Sequence, residues 1–211
     1  MPKTLLRRDL GVCDYLPTFE RMQAFSRQRD ADQSDEWWLL QHNPVFTQGR
    51  NGKAEHLLAP GDIPVIQVDR GGQVTYHGPG QLIGYMLIDV RRGGFGVRQL
   101  VSAMENSVIA TLAEYGIDSQ ARADAPGVYV GDKKIAALGL RVKGGMSYHG
   151  LSLNLKMDTE PFTRINPCGY QGLQVAQLSD YVERIDEQQL NTILTQHLAS
   201  ILGYNEVIHG Y

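Results

Sequence analysis

Cys168 is the residue best placed to act as a nucleophile. It stands between Pro167 and Gly169, and a bend of this kind exposes a side chain that the interior of a strand would bury. A thiol reacts as the thiolate, which forms near a cation, a helix N-terminus or a base. A lone cysteine can equally be buried and inert, and this alternative stays open. Cys13, which precedes a predicted helix without such flanks, is assigned no role.

A lysine and two histidines can supply that cation or base. Lys134 begins a predicted strand at the mouth of a hairpin, where its side chain can turn inward, and Lys133 is the adjacent alternative. A nearby ammonium group favours the thiolate over the thiol. His77 and His149 each follow a tyrosine and precede a glycine, and either can act as a base or orient a substrate carbonyl. A Cys–Lys pair and a Cys–His pair therefore remain alternatives.

The stretch 70–85 predicts a ligand-binding loop. It carries five glycines and one proline among polar and aromatic residues. Glycines let the backbone approach a ligand closely, because no Cβ intervenes. Donors and an aromatic face are added by Arg70, Thr75, Tyr76 and His77. The alternative is a glycine-rich hairpin that carries ordinary polar side chains.

Composition restricts the classes of function. The chain has 211 residues, enough for one substantial core, and its net charge of −3 gives no basis for nucleic-acid binding. Its two cysteines lie far apart and form neither a disulfide framework nor a metal-ligand spacing. The N-terminus lacks the apolar segment of a signal peptide, and no run approaches the ~18 apolar residues of a membrane span. These features predict a soluble, cytoplasmic protein that binds no nucleic acid, membrane or metal.

Hydrophobic periodicity predicts the elements that must position these residues. Helices are expected over about 14–29, 96–116 and 187–202, with 30–36 as a loop. Strands are expected at 4–10, 37–40, 64–69, 81–90, 127–130, 135–142 and 147–157. The inward face of the last helix is expected to comprise Leu190, Ile193, Leu194, His197, Leu198, Ile201 and Leu202, with His197 as a core or boundary residue.

The strand patterns also predict the fold class. The nearly continuous apolar run at 81–90 indicates a strand buried on both faces, whereas the alternation over 147–157 predicts one solvent-exposed face. Short turns between the strands after residue 127 predict antiparallel neighbours. Strands with interspersed helices indicate an α+β fold with a mixed sheet, as one domain spanning residues 1–211.

Three segments together resemble the signature of the lipoyl(octanoyl) transferases. They are residues 70–81, residues 127–158 and residues 164–170, and both their order and their spacing match that family. The likeness covers about residues 41–178, and no motif position departs from it. The sequence Asn-Pro-Cys-Gly at 166–169 is weak evidence alone, but the three segments together are highly specific.

The resemblance implies a fold and a reaction. The fold would be similar to the catalytic domains of lipoate and biotin protein ligases, with a largely antiparallel mixed sheet flanked by helices. The enzyme would pass an octanoyl group from octanoyl–acyl carrier protein to a lysine of a lipoyl domain or of the glycine cleavage H protein, as the first step of protein lipoylation. It would need no ATP, metal or other cofactor, because thioester to thioester to amide runs downhill, and we expect a monomer.

The resemblance also implies roles for individual residues. Cys168 would carry the acyl group as a thioester, and Lys134 would lower the pKa of its thiol. The substrate-binding residues would be Arg70, Gly71, Gly72, Gln73, Val74, Thr75, Tyr76, His77, Ala137, Leu138, Gly139, His149, Gly150, Leu151 and Ser152.

Three other functions remain as alternatives. An ATP-dependent lipoate or biotin ligase on the same scaffold would need no catalytic cysteine, so the Asn-Pro-Cys-Gly segment argues against it. A cysteine hydrolase of thioesters or amides would use His77 or His149 as its base. A non-catalytic binder of carrier domains would be indifferent to loss of the thiol. The acceptor can also be an H protein alone, or the transfer can run between lipoyl domains.

Overall fold

The computed structural model describes residues 3–30, 32–167 and 172–210. Its helices are α1 (Tyr15–Gln28), α2 (Val90–Gly93), α3 (Val97–Glu114) and α4 (Glu187–Ile201). Its strands are β1 (Thr4–Cys13), β2 (Asp35–His42), β3 (Val45–Gln48), β4 (Val65–Gln67), β5 (Val74–His77), β6 (Gln81–Leu87), β7 (Gln120–Ala121), β8 (Val128–Val130), β9 (Lys133–Lys143), β10 (Met146–Asn154) and β11 (Glu206–Gly210).

The strands form two sheets. The larger has eight strands in the order β11-β1-β2-β6-β10-β9-β8-β7, and the smaller has three in the order β4-β3-β5. In the large sheet β1 pairs in parallel with both β11 and β2, while the remaining pairs are antiparallel. The α+β fold with a mixed, largely antiparallel sheet is confirmed, and so are the antiparallel neighbours among β8, β9 and β10. The separate small sheet was not predicted.

Helices cover both faces of the large sheet. Residues of α3 and α4 share one hydrophobic cluster with Trp37, Leu39 and Leu151, which project from one face. On the other face, α1 packs its Met22 against a second cluster that includes Trp38. The central strands are therefore enclosed on both sides. All seven residues of β6 are buried, as its continuous apolar run predicts.

The exposed face predicted for β10 is wrong. Ser152 and Asn154 alternate with leucines, yet both are buried. The Asn154 side chain donates to the Ala176 carbonyl at 2.9 Å and accepts from Gln81 Nε2 at 2.9 Å. Thr75 of β5 lines the same cavity as Ser152, so this face is covered by another layer of the molecule rather than by bulk water.

Several boundaries also differ from the prediction. The strand expected at 81–90 ends at Leu87, because Asp89 caps α2 by accepting from the backbone N–H groups of Arg91 and Arg92. The loop expected at 30–36 already enters β2 at Asp35. The unpredicted strand β11 pairs with β1 in parallel.

The inward face of α4 is largely as expected. Leu190, Leu194 and Leu198 are buried, and half-buried His197 lies 3.6 Å from Glu114 of α3, which places it at a boundary. Ile201 is 44% exposed, so its assignment to this face is wrong. Among the described residues, no helix combines the length and apolar character needed to cross a membrane.

Gly84 of β6 leaves room for the Trp37 side chain. A Cβ atom at this position would lie 2.0 Å from Cη2 of Trp37, whose side chain is fully buried. The indole therefore occupies the space that any larger residue would need. Glycine at 84 is required by packing rather than by backbone conformation.

We expect Gly84→Ala to lower the free energy of unfolding by about 1–3 kcal/mol, because the added methyl group overpacks the core. Urea unfolding followed by tryptophan fluorescence measures this loss. Gly96→Ala is the control, since a Cβ there lies 3.5 Å from Gln99 Oε1, an ordinary contact. Equal losses in the two variants would contradict the packing argument.

Candidate active site

A cavity of about 500 Å³, counting the solvent space at its mouth, lies between the large sheet, β5 and α1. We call it the central cavity. The predicted substrate-binding residues line it with two exceptions, and they are joined there by Tyr15, Ile83 and Tyr85. Gly71 instead faces a neighbouring cleft, and the Tyr76 ring packs against Phe46 and Phe162. Distant segments of the sequence thus meet around one space.

Small residues in register form the floor of the central cavity. Gly139 of β9 pairs with Gly150 of β10, which pairs with Tyr85 of β6. Two residues further along β10, Ser152 pairs with Ala137 of β9. A Cβ at Gly150 would lie 2.0 Å from the Gly84 carbonyl oxygen, and one at Gly139 would lie 3.2 Å from Arg70 Cδ, so neither position has room for a larger residue. The floor is therefore shaped for a thin apolar group lying along the strands.

Hydrogen bonds from Arg70 and Gly71 hold the glycine-rich loop against β3 and β9. Its Nη2 donates to the backbone oxygen and to Oγ1 of Thr47 at 2.7 and 2.9 Å, and its Nη1 donates to the Gly71 carbonyl. The Gly71 N–H donates to the Leu140 carbonyl at 3.0 Å. Arg70 is thus a structural tie as well as part of the cavity wall.

His77 is held as a neutral ring. Gln81 uses its Nε2 to donate to the Tyr76 carbonyl and to Asn154, so its Oε1 accepts from His77 Nδ1 at 2.8 Å. Nε2 of His77 lies 3.3 Å from the Thr47 hydroxyl. Burial lowers the pKa of His77 to about 3. Both nitrogens are engaged, which makes this ring a poor base in the free protein.

His149 has an unusual backbone conformation. Its φ of 61° is the one positive value at a non-glycine position among the described residues. Consecutive strand residues normally point to opposite faces, but the rings of Tyr148 and His149 lie on the same face, 5.1 Å apart. His149 also stacks on Phe19 of α1 at 5.2 Å. Strain of this kind is typical of functional positions.

Asp69 anchors both of these rings. His149 Nε2 lies 3.0 Å from Asp69 Oδ1, and the Tyr148 hydroxyl donates to Oδ2. Partial burial would raise the pKa of Asp69, but these hydrogen bonds outweigh it and lower the pKa to about 2. Burial lowers the pKa of His149, so the ring is neutral and Nε2 carries its proton. Its buried Nδ1 has no hydrogen-bond partner within the described part of the chain.

A third buried histidine, His42, was missed by the sequence analysis. Its Nδ1 donates to the Cys13 carbonyl at 2.9 Å, and its Nε2 accepts from the Tyr85 hydroxyl at 2.6 Å. The Tyr15 ring packs against it, with ring centroids 4.9 Å apart. His42, Tyr15 and Tyr85 lie outside the residues assigned to substrate binding, and so does Asp69. Of these four residues, only Asp69 could have been found from the sequence, because it immediately precedes the glycine-rich stretch.

Lys134 lies at the other end of this space. It is 4% exposed, whereas Lys133 is exposed to solvent, so the two candidates have different environments. Its Nζ donates to the Pro126 carbonyl at 3.0 Å. A Cβ at Gly127 would lie 2.9 Å from Lys134 Cε, so a glycine makes room for the buried side chain.

A smaller cavity of about 300 Å³ contains Lys134, and we call it the lysine cavity. It shares Thr75, Ala137 and Ser152 with the central cavity. The segment that begins at residue 172 runs next to this cavity. There the Lys134 N–H donates to the Gln174 carbonyl, and the Ala176 N–H donates to the Lys134 carbonyl. The two cavities therefore form adjoining parts of one elongated space, with the lysine at one end.

Cys168, Gly169 and Tyr170 lie outside the described residues. The nearest described residues on either side that contact the space are Pro167 and Val175, and both line the lysine cavity. Cys13 is half-buried, and its thiol donates to the Leu10 carbonyl. Among the described residues, no cluster of three or more histidine, cysteine or acidic side chains could hold a metal ion.

Comparisons with known proteins agree on one family. The family model of the lipoyl protein ligase A/B catalytic domain matches residues 14–199. An octanoyltransferase of Azotobacter vinelandii is 60% identical over 200 residues, which are 94% of this chain and 92% of that protein. An octanoyltransferase of Stutzerimonas stutzeri is 61% identical over 197 residues, which are 93% of this chain and 90% of that protein.

Solved structures show the same fold at low sequence identity. A bipartite lipoate protein ligase from Thermoplasma acidophilum superposes with a TM-score of 0.74 at 16% identity, covering 99% of this chain and 88% of that one. A biotin protein ligase from Aquifex aeolicus superposes with a TM-score of 0.56 at 14% identity, covering 96% and 69%. The expected likeness to lipoate and biotin ligase catalytic folds is confirmed.

The buried histidines make stability depend on pH. Burial lowers the pKa of His42 to about 4 and that of His77 to about 3, against about 6.5 in an unfolded chain. Between these values, the unfolded chain binds protons that the folded protein does not. The free energy of unfolding therefore falls as the pH is lowered through about 6.5 toward 3, and it is fully retained above that range.

We expect urea unfolding at pH 5 to give a lower free energy than at pH 7, by about 2 kcal/mol for each of these histidines. In His42→Gln the difference should shrink by about that amount. The amide can still donate to the Cys13 carbonyl and accept from Tyr85, but it does not titrate. The same pH dependence in both proteins would contradict the assignment of His42 as a neutral buried ring.

Proposed function

The chain belongs to the lipoyl protein ligase A/B catalytic domain family as one of its octanoyltransferases, and from this premise we propose a two-step transfer through Cys168. The enzyme is an acyltransferase that moves octanoyl groups in protein lipoylation. In the proposal, Cys168 takes the octanoyl group from octanoyl–acyl carrier protein and passes it to a lysine of the acceptor protein. The observation that best supports this proposal is the position of Lys134, which is buried at one end of a cavity whose floor contains two glycines.

The cavity supports a defined orientation of the acyl group. The carbonyl carbon lies at the Lys134 end, and the alkyl chain runs along Ala137 and Gly139 into the central cavity. The lining shared by the two cavities gives a continuous path for the chain. At ~0.8 kcal/mol per buried CH₂, binding of the octanoyl chain contributes up to roughly 5 kcal/mol.

The proposed chemistry balances without an oxidant or an energy source. The Cys168 thiolate attacks the thioester carbonyl and expels the carrier thiolate, which takes up a proton. The amine of the acceptor lysine, having lost its proton, then attacks the new thioester and releases Cys168. Lys134 lowers the pKa of the Cys168 thiol by placing a positive charge beside it. The proposal assigns this role to Lys134 rather than to Lys133, because Lys133 is exposed to solvent.

We propose that the reaction needs neither ATP nor a metal, because both steps start from a thioester. This separates it from the adenylating ligases, whose fold it shares. An acyl donor and lipoyl-domain acceptors follow from the family. The acyl carrier protein as the donor, the glycine cleavage H protein as a further acceptor and a monomeric enzyme are finer parts of the proposal.

Intact-protein mass spectrometry after mixing with octanoyl–acyl carrier protein, without ATP, tests the proposal. We expect one octanoyl adduct, which hydroxylamine removes because it is a thioester, and which a lipoyl domain accepts in a chase. Cys168→Ser should form no hydroxylamine-sensitive adduct, while Cys13→Ser should form it normally. Activity that appears only with ATP and free octanoate would instead establish a ligase. Released free octanoate would establish a hydrolase.

The role of Lys134 has its own matched control. Lys134→Met should slow adduct formation by about a hundredfold at pH 7, the scale of a lost acid–base or charge effect. Raising the pH should recover part of the rate, because more of the thiol ionises without help. Lys133→Met should stay within about twofold of the wild type. Equal rates in the two methionine variants would remove Lys134 from the mechanism.

A further inference from the structure

A polar partition separates the central cavity from a second cleft. This basic cleft, of about 800 Å³, is lined by Gln23, Ser26, Arg27, Arg29, Lys143, Gly144, Met146 and Tyr148. His149 lines the central cavity, whereas its neighbour Tyr148 lines the basic cleft. Both side chains bind the carboxylate of Asp69. We call these three residues the Asp69 partition.

The partition is held by several independent contacts. His149 is 1% exposed and is fixed by Asp69 on one edge and by stacking on Phe19. Its positive φ turns the ring toward α1, away from the face that strand alternation would give it. Tyr148 is also buried. Two aromatic rings and a carboxylate therefore close the space between α1 and the sheet.

The partition lies at the far end of the acyl path. Leu140 pairs with His149 across the sheet and lies six residues beyond Lys134 on β9. At about 3.3 Å per residue, that interval is about 20 Å. His149 lines the central cavity and Lys134 lines the lysine cavity, so the two residues mark opposite ends of this interval. An acyl chain that starts at Lys134 and reaches the far end of the central cavity therefore meets the His149 ring.

We propose that the Asp69 partition sets the maximum acyl-chain length, with Asp69 as a positioning residue that acts through His149 and Tyr148. The inference rests on the proposed function, because it places the acyl carbonyl at Lys134. A longer chain must push aside rings that are hydrogen-bonded to the Asp69 carboxylate, and the basic cleft lies behind them. Without that carboxylate the rings keep only their packing contacts, so a longer chain can displace them and the central cavity can open into the basic cleft.

Rates with octanoyl-, dodecanoyl- and hexadecanoyl–acyl carrier protein test the inference in the wild type and in Asp69→Ala. We expect Asp69→Ala to raise the ratio of kcat/KM for dodecanoyl over octanoyl by about tenfold or more, the scale on which apolar pockets discriminate chain length. Asp69→Asn should restore much of the wild-type ratio. Its amide can accept from Tyr148 and donate to a His149 ring of the other tautomer.

Tyr204→Phe is the matched control. Tyr204 donates to Asp35 at 2.8 Å, which is another buried tyrosine–carboxylate bond, and neither residue lines the central cavity. Loss of this hydrogen bond should lower the free energy of unfolding, while the ratio of kcat/KM for dodecanoyl over octanoyl should stay unchanged. Tyr148→Phe removes one bond to Asp69 but keeps the ring, and it gives a smaller rise in the ratio should Asp69→Ala fail to fold.

Two results separate this inference from the proposed function. If a folded Asp69→Ala, or Tyr148→Phe in its place, slows all three donors equally, the partition does not set chain length, although octanoyl transfer by the wild type stands. If the wild type does not transfer octanoyl from octanoyl–acyl carrier protein, the proposed function fails instead. A changed ratio in Tyr204→Phe would also overturn the inference, because any buried tyrosine bond would then have the same effect.

Discussion

The cavity depends on small residues that face each other across β9 and β10. Gly139 pairs with Gly150, and Ala137 pairs with Ser152, so almost no side-chain volume rises from the sheet at these positions. The intervening residues Leu138, Leu151 and Leu153 belong to or pack against the main core, although Leu138 and Leu151 also contact the cavity. One face therefore holds the fold together, while the other leaves room for a ligand between the sheet, β5 and α1.

Burial of Lys134 is the second requirement of the site. An ammonium group removed from water is costly unless it has polar partners, and the Pro126 carbonyl is one of them. Gly127 allows that approach, because any Cβ there would contact the lysine side chain. The strand edge at Lys134 also hydrogen-bonds the chain at Gln174 and Ala176. The segment that follows the proposed nucleophile is thereby tied to the lysine.

The sequence predicted what depends on local periodicity and on motif residues. The helix over 96–116 and the doubly buried strand that begins at Gln81 were found in this way, and so were most residues around the central cavity, although Tyr15, Ile83 and Tyr85 were missed. Alternation in β10 was misread, because a strand that lines an internal cavity has the same polar–apolar pattern as one that faces water. Strand β11 was missed since its parallel pairing with β1 is a long-range contact. The turned ring of His149 depends on one φ angle, which no residue pattern specifies.

The buried histidines and Lys134 divide the acyl space into two chemically different ends. His77 and His149 are neutral, with lowered pKa values, and His77 has both nitrogens engaged. His149 pairs with a residue about 20 Å along β9 from Lys134, so the two side chains cannot contact one carbonyl. In the proposed mechanism, the charge of Lys134 acts at the acyl carbonyl and the neutral ring of His149 meets the alkyl end, so the two residues act at different steps. Chemistry at one end and chain-length selection at the other can then change independently.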